Sequence, residues 1–325
     1  MNLRYEDKLN DIKIYQGDCL ETLKQIPDGT VNCCVTSPPY FNLRDYHVEG
    51  QIGQEKTPQE YINKLSDLFE EVRRVLTDDG TLWLNLGDSY ARQGGPCPEQ
   101  SMRRKQGDKA DFVHRGQAGG KSQKLPPGIK SKDLIGIPWS VAFALRNNGW
   151  YLRSEIIWEK PDCMPESVRD RPTRAHENIF LLSKSEKYFY DFDAVLEPYT
   201  EPLQRWGGDR MVPKTKSTWN EATGQEAYRD RDVRPNPNGK NKRSVWKVSA
   251  KPFEGAHFAT FPIKLIEPCI LAGCPKGGVV LDPFLGSGTT LLVAMNLGRK
   301  GIGIELNDDY VKIAIDRIDV GLLGE

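Results

Sequence analysis

Thr36, Ser37, Pro38, Pro39 and Tyr40 place a hydroxyl, stiff backbone carbonyls and an aromatic face within one short stretch. The residues before them, Val31 to Val35, are small and β-favouring. Two consecutive prolines cannot donate ladder hydrogen bonds, so a strand ends there and a short rigid loop begins. Proline fixes its own φ and holds its predecessor extended, so the Ser37 hydroxyl and the carbonyls of Ser37 and Pro38 are aimed in advance, with little entropy left to lose on binding. Such acceptors suit an amino group on a flat ring, and Tyr40 adds a π face on which an unstacked base can lie. By itself the stretch reads equally as an ordinary loop or a proline-rich recognition peptide.

A second stretch, Leu281, Asp282, Pro283, Phe284, Leu285, Gly286, Ser287, Gly288, Thr289 and Thr290, separates these readings. Gly286 and Gly288 permit positive φ and close backbone approach at a strand-to-helix turn, the geometry of a nucleotide-cofactor loop. No Lys-Ser or Lys-Thr pair completes a phosphate-cradling P-loop. Gly301 to Glu305 reads as the next strand, and its acid falls about twenty residues beyond the glycines, where a carboxylate meets ribose hydroxyls. The glycine loop alone leaves NAD and S-adenosylmethionine nearly equal; with the loop at 37–40 it points to S-adenosylmethionine.

The two stretches together resemble the amino-methyltransferases that modify the exocyclic nitrogen of a DNA base, in the circularly permuted order where the catalytic motif precedes the cofactor motif. Serine at the first position of the tetrapeptide is similar to the N4-cytosine branch, whereas the N6-adenine branch usually carries Asp or Asn there. The resemblance runs from about residue 12 to about residue 318 and is weakest in two inserts. It implies an α/β, doubly wound, Rossmann-like S-adenosylmethionine-dependent sheet with basic target-recognition inserts. It also implies double-stranded DNA as substrate, and it leaves open a cognate restriction endonuclease acting on the same site. Ser37, Pro38, Pro39 and Tyr40 become the catalytic residues. Asp18, Thr260, Asp282, Phe284, Gly286, Ser287, Gly288, Thr289 and Glu305 become the cofactor-binding ones. Within that set Asp18 lies near the adenine, though it reads equally as a helix N-cap. Thr260 belongs to the segment approaching the methionine end. Asp282 faces the ammonium, while the following helix N-terminus takes the carboxylate. Trp158, Lys160, Pro161, Arg171, Pro172, Thr173, His176 and Glu177 border the target-base pocket, although His176 and Glu177 also read as ties between loop and strand.

The cytosine amine is a poor nucleophile because its lone pair is delocalised into the ring. Acceptors at Ser37 and Pro38 would let the nitrogen pyramidalise toward a sulfonium methyl, and Tyr40 would stack on the flipped base. No residue stands out as the acceptor of the lost proton. Carbon-5 methylation would need a Pro-Cys nucleophile; the two such pairs, Pro96-Cys97 and Pro268-Cys269, do not follow a strand. N6-adenine methylation stays as the alternative, because Ser37 is the one sign separating the two bases. A non-catalytic DNA-binding protein of the same fold is the reading from another class.

The elements that must position these residues read as strands at 12–16, 31–35, 81–86, 151–158, 178–183, 188–190, 277–282 and 301–305. Helices are expected at 20–26, 57–76, 138–147, 263–272 and 289–297. Phe41 to Gly53 reads as a mobile lid over the bound base, and Asp88, just past a strand, as a second-tier site candidate. The expected division is a catalytic domain at 1–91, 134–197 and 254–325, a basic insert at 92–133 that is mobile until it orders on DNA, and a target-recognition region at 198–253.

The 325 residues carry a formal net charge of zero, but unevenly. Residues 92–132 hold ten Lys and Arg against three Asp and Glu, and 205–251 hold twelve against five, so the remainder carries −14. A local basic surface on an acidic body is what phosphate contact requires. Seven cysteines, with Cys33 and Cys34 adjacent, do not suggest a disulfide framework, and a reducing cytoplasm fits them. No Cys-x-x-Cys occurs and the four histidines are scattered, so no metal site is expected. No apolar run is long enough for a membrane span or a signal peptide.

Overall fold

The computed structural model describes residues 1–44, 46, 48–91, 125, 128–199, 236, 238–250 and 261–321. They divide into two units, one of Met1–Tyr190 with Ser244–Glu325 and one of Asp191–Arg243. The larger unit is a nine-stranded mixed sheet. In chain order its strands are β1 (Asn2–Asp7), β2 (Ile12–Gln16), β3 (Val31–Thr36), β4 (Leu76–Leu86), β5 (Tyr151–Glu159), β6 (His176–Ser183), β7 (Val245–Lys247), β8 (Val279–Asp282) and β9 (Lys300–Glu305). Across the sheet the order is β1-β2-β9-β8-β3-β4-β6-β5-β7. The five strands from β2 to β4 are parallel, while β1 and β6 run against their neighbours.

Helices cover both faces, and the alternation of side chains along each strand decides which. On one face lie α1 (Cys19–Leu23), α2 (Pro58–Val75) and α3 (Ile137–Asn147), packed over Cys34, Leu82, Leu84, Phe180, Leu281 and Ile304. Helix α2 starts at a complete capping box, with Thr57 accepting from the Glu60 backbone and the Glu60 side chain accepting from the Thr57 backbone. It buries Tyr61, Leu65, Leu68, Phe69, Val72 and Val75. At about 1.5–3 kcal/mol for each such side chain, this stripe is a main anchor of the sheet.

On the other face lie α4 (Ile263–Gly273), α5 (Thr289–Asn296) and α6 (Asp308–Val320). The Gly-Ile-Gly-Ile pattern of β9 explains how close α5 comes: a Cβ on Gly301 would stand 2.5 Å from Leu291, and one on Gly303 2.7 Å from Leu285. Ile12, Ile14, Leu291, Val311, Ala314 and Ile318 close that layer.

β3 connects through α2 to β4 on one side, and β8 connects through α5 to β9 on the other. Because β3 and β8 are neighbours, the two crossovers part and open a crevice at the carboxyl ends of the strands. The same edge receives the ends of β2, β4 and β5, and the start of β6, which runs the opposite way.

Several elements differ from expectation. β1 is a polar, exposed edge strand and β7 only three residues long, and neither has a legible alternation. Strand β4 begins at Leu76, where a helix end and turn were expected, because Val31 pairs with Leu76. Residues 188–190 form no strand; the Phe189 amide bonds the Asp79 carbonyl at 2.9 Å. Residues 245–247, expected within the target-reading region, pair with β5 and so fall in the larger unit. In the smaller unit Asp193–Val195 is a 3-10 turn, and Glu197 bridges Lys240 and ion-pairs Arg243 at 3.2 Å.

Among the described residues, six cysteines are free thiols. Among them too, no group of three or more His, Cys, Asp or Glu could hold a metal, and no helix is long and apolar enough to cross a membrane.

Candidate active site

A cavity of about 370 Å³ occupies the crevice, walled at one end by the 37–40 loop and at the other by the glycine loop and Glu305. The register of β3 against β8 sets Cys34 beside Leu281, so two stretches some 250 residues apart end side by side. Asp282 ties them. One of its oxygens accepts from the Thr36 hydroxyl at 2.7 Å and the Phe284 amide at 3.1 Å, and the other from the Thr290 hydroxyl at 2.6 Å.

That geometry gives Asp282 a structural part. Asp282 is fully buried, both its oxygens are engaged by the protein, and it lies beneath the cavity rather than on its wall. It braces the site by tying the ends of the two loops together. Burial pushes its carboxyl up to about 6, against the three hydrogen bonds that favour the ionised form.

The glycine loop has the backbone its residues foretold. Gly286 and Gly288 have φ of 53° and 84°, and a Cβ on Gly288 would meet Ala314 at 3.0 Å. Phe284, Gly286, Ser287, Thr289 and Glu305 line the cavity, and Gly288 shapes the turn. The Glu305 carboxylate accepts from the amides of Gly286 and Asn307, each at 2.8 Å, and burial raises its carboxyl above the usual range. Asp18 lines the cavity and also caps α1, accepting from the Glu21 amide at 3.0 Å, so the cap does not remove it from the cavity wall. Thr260, Asp45 and His47 lie outside the described residues.

Beneath this loop sits a residue that the sequence did not single out. Arg317 of α6, only 8% exposed, donates to the Ser287 carbonyl, the Ser287 hydroxyl and the Thr289 hydroxyl at 2.7, 2.6 and 3.1 Å. Burial lowers its guanidinium below the ordinary value.

At the other end, Ser37, Pro38, Pro39 and Tyr40 all line the cavity. Tyr61 of α2 donates to the Pro39 carbonyl at 2.8 Å, while among the described residues no donor meets the Pro38 carbonyl. Tyr40 donates to Glu177 at 2.6 Å, and the Asn85 amide donates to both, at 2.9 and 3.0 Å. Lys160 bonds the second Glu177 oxygen and stands 4.2 Å over the Trp158 ring. Burial and the neighbouring carboxylate raise the Tyr40 hydroxyl well above its ordinary value, so it stays a donor. Asn85 was missed; its only signal is one amide in the otherwise apolar run of β4.

One other expectation changes. Asp88 is a cap rather than a site residue: Gly136 offers α3 no side-chain cap, and the Asp88 carboxylate accepts from the amides of Gly136 and Ile137 at 3.0 and 3.1 Å. The 41–53 loop borders the glycine-loop end of the cavity, where Tyr46 meets Tyr310 edge-on at 6.2 Å. Its ends are joined by the Asn42 amide donating to the Gly53 carbonyl at 2.8 Å. The carbon-5 alternative finds no support at Cys269, which is buried within α4 and does not line the cavity.

The profile of a family described as DNA methylase matches residues 31–316, which takes in both loops and every strand between them. The chain belongs to this DNA methylase family. It is 45% identical to the type II methyltransferase M.Cfr9I of Citrobacter freundii over 96% of its length and 89% of that protein's. To the type II methyltransferase M.SmaI of Serratia marcescens it is 46% identical, over 96% and 92%. Among solved structures, PvuII DNA methyltransferase (cytosine-N4-specific) shares the fold with a TM-score of 0.59 at 20% identity, over 97% of this chain and 94% of the other. A putative DNA modification methylase of Thermus thermophilus, TTHA0409, solved with S-adenosyl-L-methionine, matches with a TM-score of 0.56 at 22% identity, over 96% of both chains. This DNA methylase is therefore an enzyme that uses S-adenosylmethionine to methylate DNA.

Its Tyr40 ring depends on a glycine. A Cβ on Gly87 would stand 2.5 Å from the ring, so this methylase carrying Gly87→Ala must shift Tyr40 or the strand end. The expected result is a loss of about 1–3 kcal/mol in unfolding free energy. A methylation rate about tenfold or more below wild type should accompany it, as a small displacement in the wall of a reaction cavity can cause. Thermal melts and single-turnover assays on the same preparation check both.

Proposed function

We propose that this DNA methylase transfers the methyl group to the exocyclic N4 amine of a cytosine turned out of duplex DNA. The observation that carries the reading is the pair of acceptors at one wall of the cavity. Ser37 presents a hydroxyl where Asp or Asn would stand in the adenine branch, and the Pro38 carbonyl has no donor among the described residues while Pro39 is anchored by Tyr61. These two oxygens would hold the amine hydrogens and stabilise the positive charge that grows on nitrogen as it pyramidalises.

S-adenosylmethionine supplies an electrophilic methyl on its sulfonium. Phe284, Tyr46 and Tyr310 offer apolar walls for an adenosine, Glu305 an acceptor for ribose hydroxyls, and the glycine loop at the α5 N-terminus amides for a carboxylate. Ser287 and Thr289 would act through the loop shape that Arg317 maintains. In this reading the chain has the circularly permuted order, with the amine-holding loop before the cofactor loop. The basic segments at 92–133 and 198–253 read the target, and the protein acts in the cytoplasm beside an endonuclease of the same site.

The test is mass spectrometry of nucleosides from mixed-sequence duplex DNA incubated with the enzyme and labelled S-adenosylmethionine. Label on N4-methylcytosine is expected. Label on N6-methyladenine would keep the fold and cofactor but overturn the base.

A further inference from the structure

We propose that Glu177 receives, through Tyr40 and Ser37, the proton that the target amine loses. The inference rests on the amine-holding reading of the 37–40 loop and extends it to a group in another strand.

The hydrogen bonds around Glu177 have a direction. The Ser37 hydroxyl donates to the Tyr40 oxygen at 3.4 Å, and the Tyr40 hydroxyl donates to Glu177 Oε2 at 2.6 Å. Asn85 faces the carboxylate with its NH2 group, the orientation a negative oxygen at 3.0 Å imposes, and so donates to the Tyr40 oxygen as well. With its hydrogen committed to Tyr40 and one lone pair facing the Asn85 amide at 3.4 Å, Ser37 Oγ keeps the other lone pair for the amine. Hydrogen bonds in such a row polarise one another, so the carboxylate at the far end makes Ser37 a better acceptor.

The row also carries the proton. As the amine lone pair forms the new N–C bond, the C–S bond of the cofactor breaks and its electron pair stays on sulfur. The alkylated nitrogen is then cationic and strongly acidic. Its proton passes to Ser37 Oγ while the Ser37 proton passes to the Tyr40 oxygen and the Tyr40 proton to Glu177 Oε2. The methylated base leaves neutral and Glu177 ends as a carboxylic acid, which returns its proton to water in the cavity that it lines. Lys160, bonded to the other Glu177 oxygen, keeps the carboxylate in place without occupying Oε2.

The experiment compares wild type, Glu177→Gln, Tyr40→Phe and the double variant in single turnovers on duplex DNA with labelled S-adenosylmethionine, alongside calorimetric binding of the cofactor. Each single variant is expected to lose about a hundredfold in rate, in the range of general-base groups, with cofactor affinity within about twofold. The double variant should be no slower than the slower single one, because both break one path. A Glu177→Gln or Tyr40→Phe rate within about threefold of wild type, or losses that multiply, would overturn the relay. So would a parallel fall in cofactor affinity and melting temperature, the mark of a purely structural part. Tyr40→Phe keeps the ring and removes one oxygen, so it decides the matter even if Glu177→Gln fails to fold. Ser37→Ala run beside them separates the two readings: if it is slow while Glu177→Gln is fast, only the relay falls; if it too is fast, the amine-holding loop itself is wrong.

Discussion

Ser37→Ala is expected to lower the single-turnover rate of methyl transfer by two to three orders of magnitude, about the cost of removing one pre-aimed group from a transition-state site. The alanine leaves the backbone of the loop where it is, because the prolines fix φ and Tyr61 holds the Pro39 carbonyl. In the proposed reading, what disappears is one of two acceptors for an amine that must gain positive charge. The Pro38 carbonyl remains, so some activity persists. Cofactor binding should stay within about twofold, since the glycine loop and Glu305 lie at the other end of the cavity and an interaction made only in the transition state leaves ground-state binding alone. Rapid-quench assays with calorimetry on the same variant measure both. A rate equal to wild type contradicts the assignment.

Asp282→Ala should act in the opposite manner, on binding and stability before chemistry. It removes the common acceptor of Thr36, Thr290 and the Phe284 amide, two buried hydroxyls and one backbone donor. Each buried donor left without a partner costs about 1–3 kcal/mol, offset in part because a carboxylate no longer has to be buried. The net expectation is a loss of roughly 3 kcal/mol in unfolding free energy. S-adenosylmethionine affinity should fall by at least about tenfold, because the strut between the two loops is gone.

The pH dependence has a definite sign. The folded carboxyl titrates at about 6, above its ordinary value of 3.8, so the native state holds this proton more tightly than the unfolded one. Its contribution to stability is greatest below pH 4, declines as pH rises to about 6 and is level above, by up to about 3 kcal/mol. The stability of wild type relative to Asp282→Asn should follow that curve in denaturant titrations between pH 4 and 7. A difference that rises with pH would rule it out.

Much of this enzyme was readable from the chain because the controlling physics is local. Two prolines stop a strand whatever packs around them, and glycines at 286 and 288 are where φ turns positive. A Thr-Pro-Gln-Glu start caps α2 through atoms three residues apart. Alternation and 3.6-residue periodicity located most strands and helices. β1 and β7 escaped, one polar and one only three residues long, because their pairing partners rather than their composition make them strands.

The sequence by itself thus determined that a rigid Ser-Pro-Pro-Tyr loop and a glycine loop follow two strands and which atoms they offer. Only the tertiary structure decided how they are joined. Asp282 meets Thr36 because β8 lies beside β3, and Glu177 meets Tyr40 and Asn85 because β6 runs against β4 and presents its first residues at the edge where β4 presents its last. Asp88 became a helix cap for the same reason, since α3 opens over the end of β4 with no cap of its own. Such contacts follow from strand order and register, which depend on how the whole sheet buries its apolar faces. No window of neighbouring residues contains them.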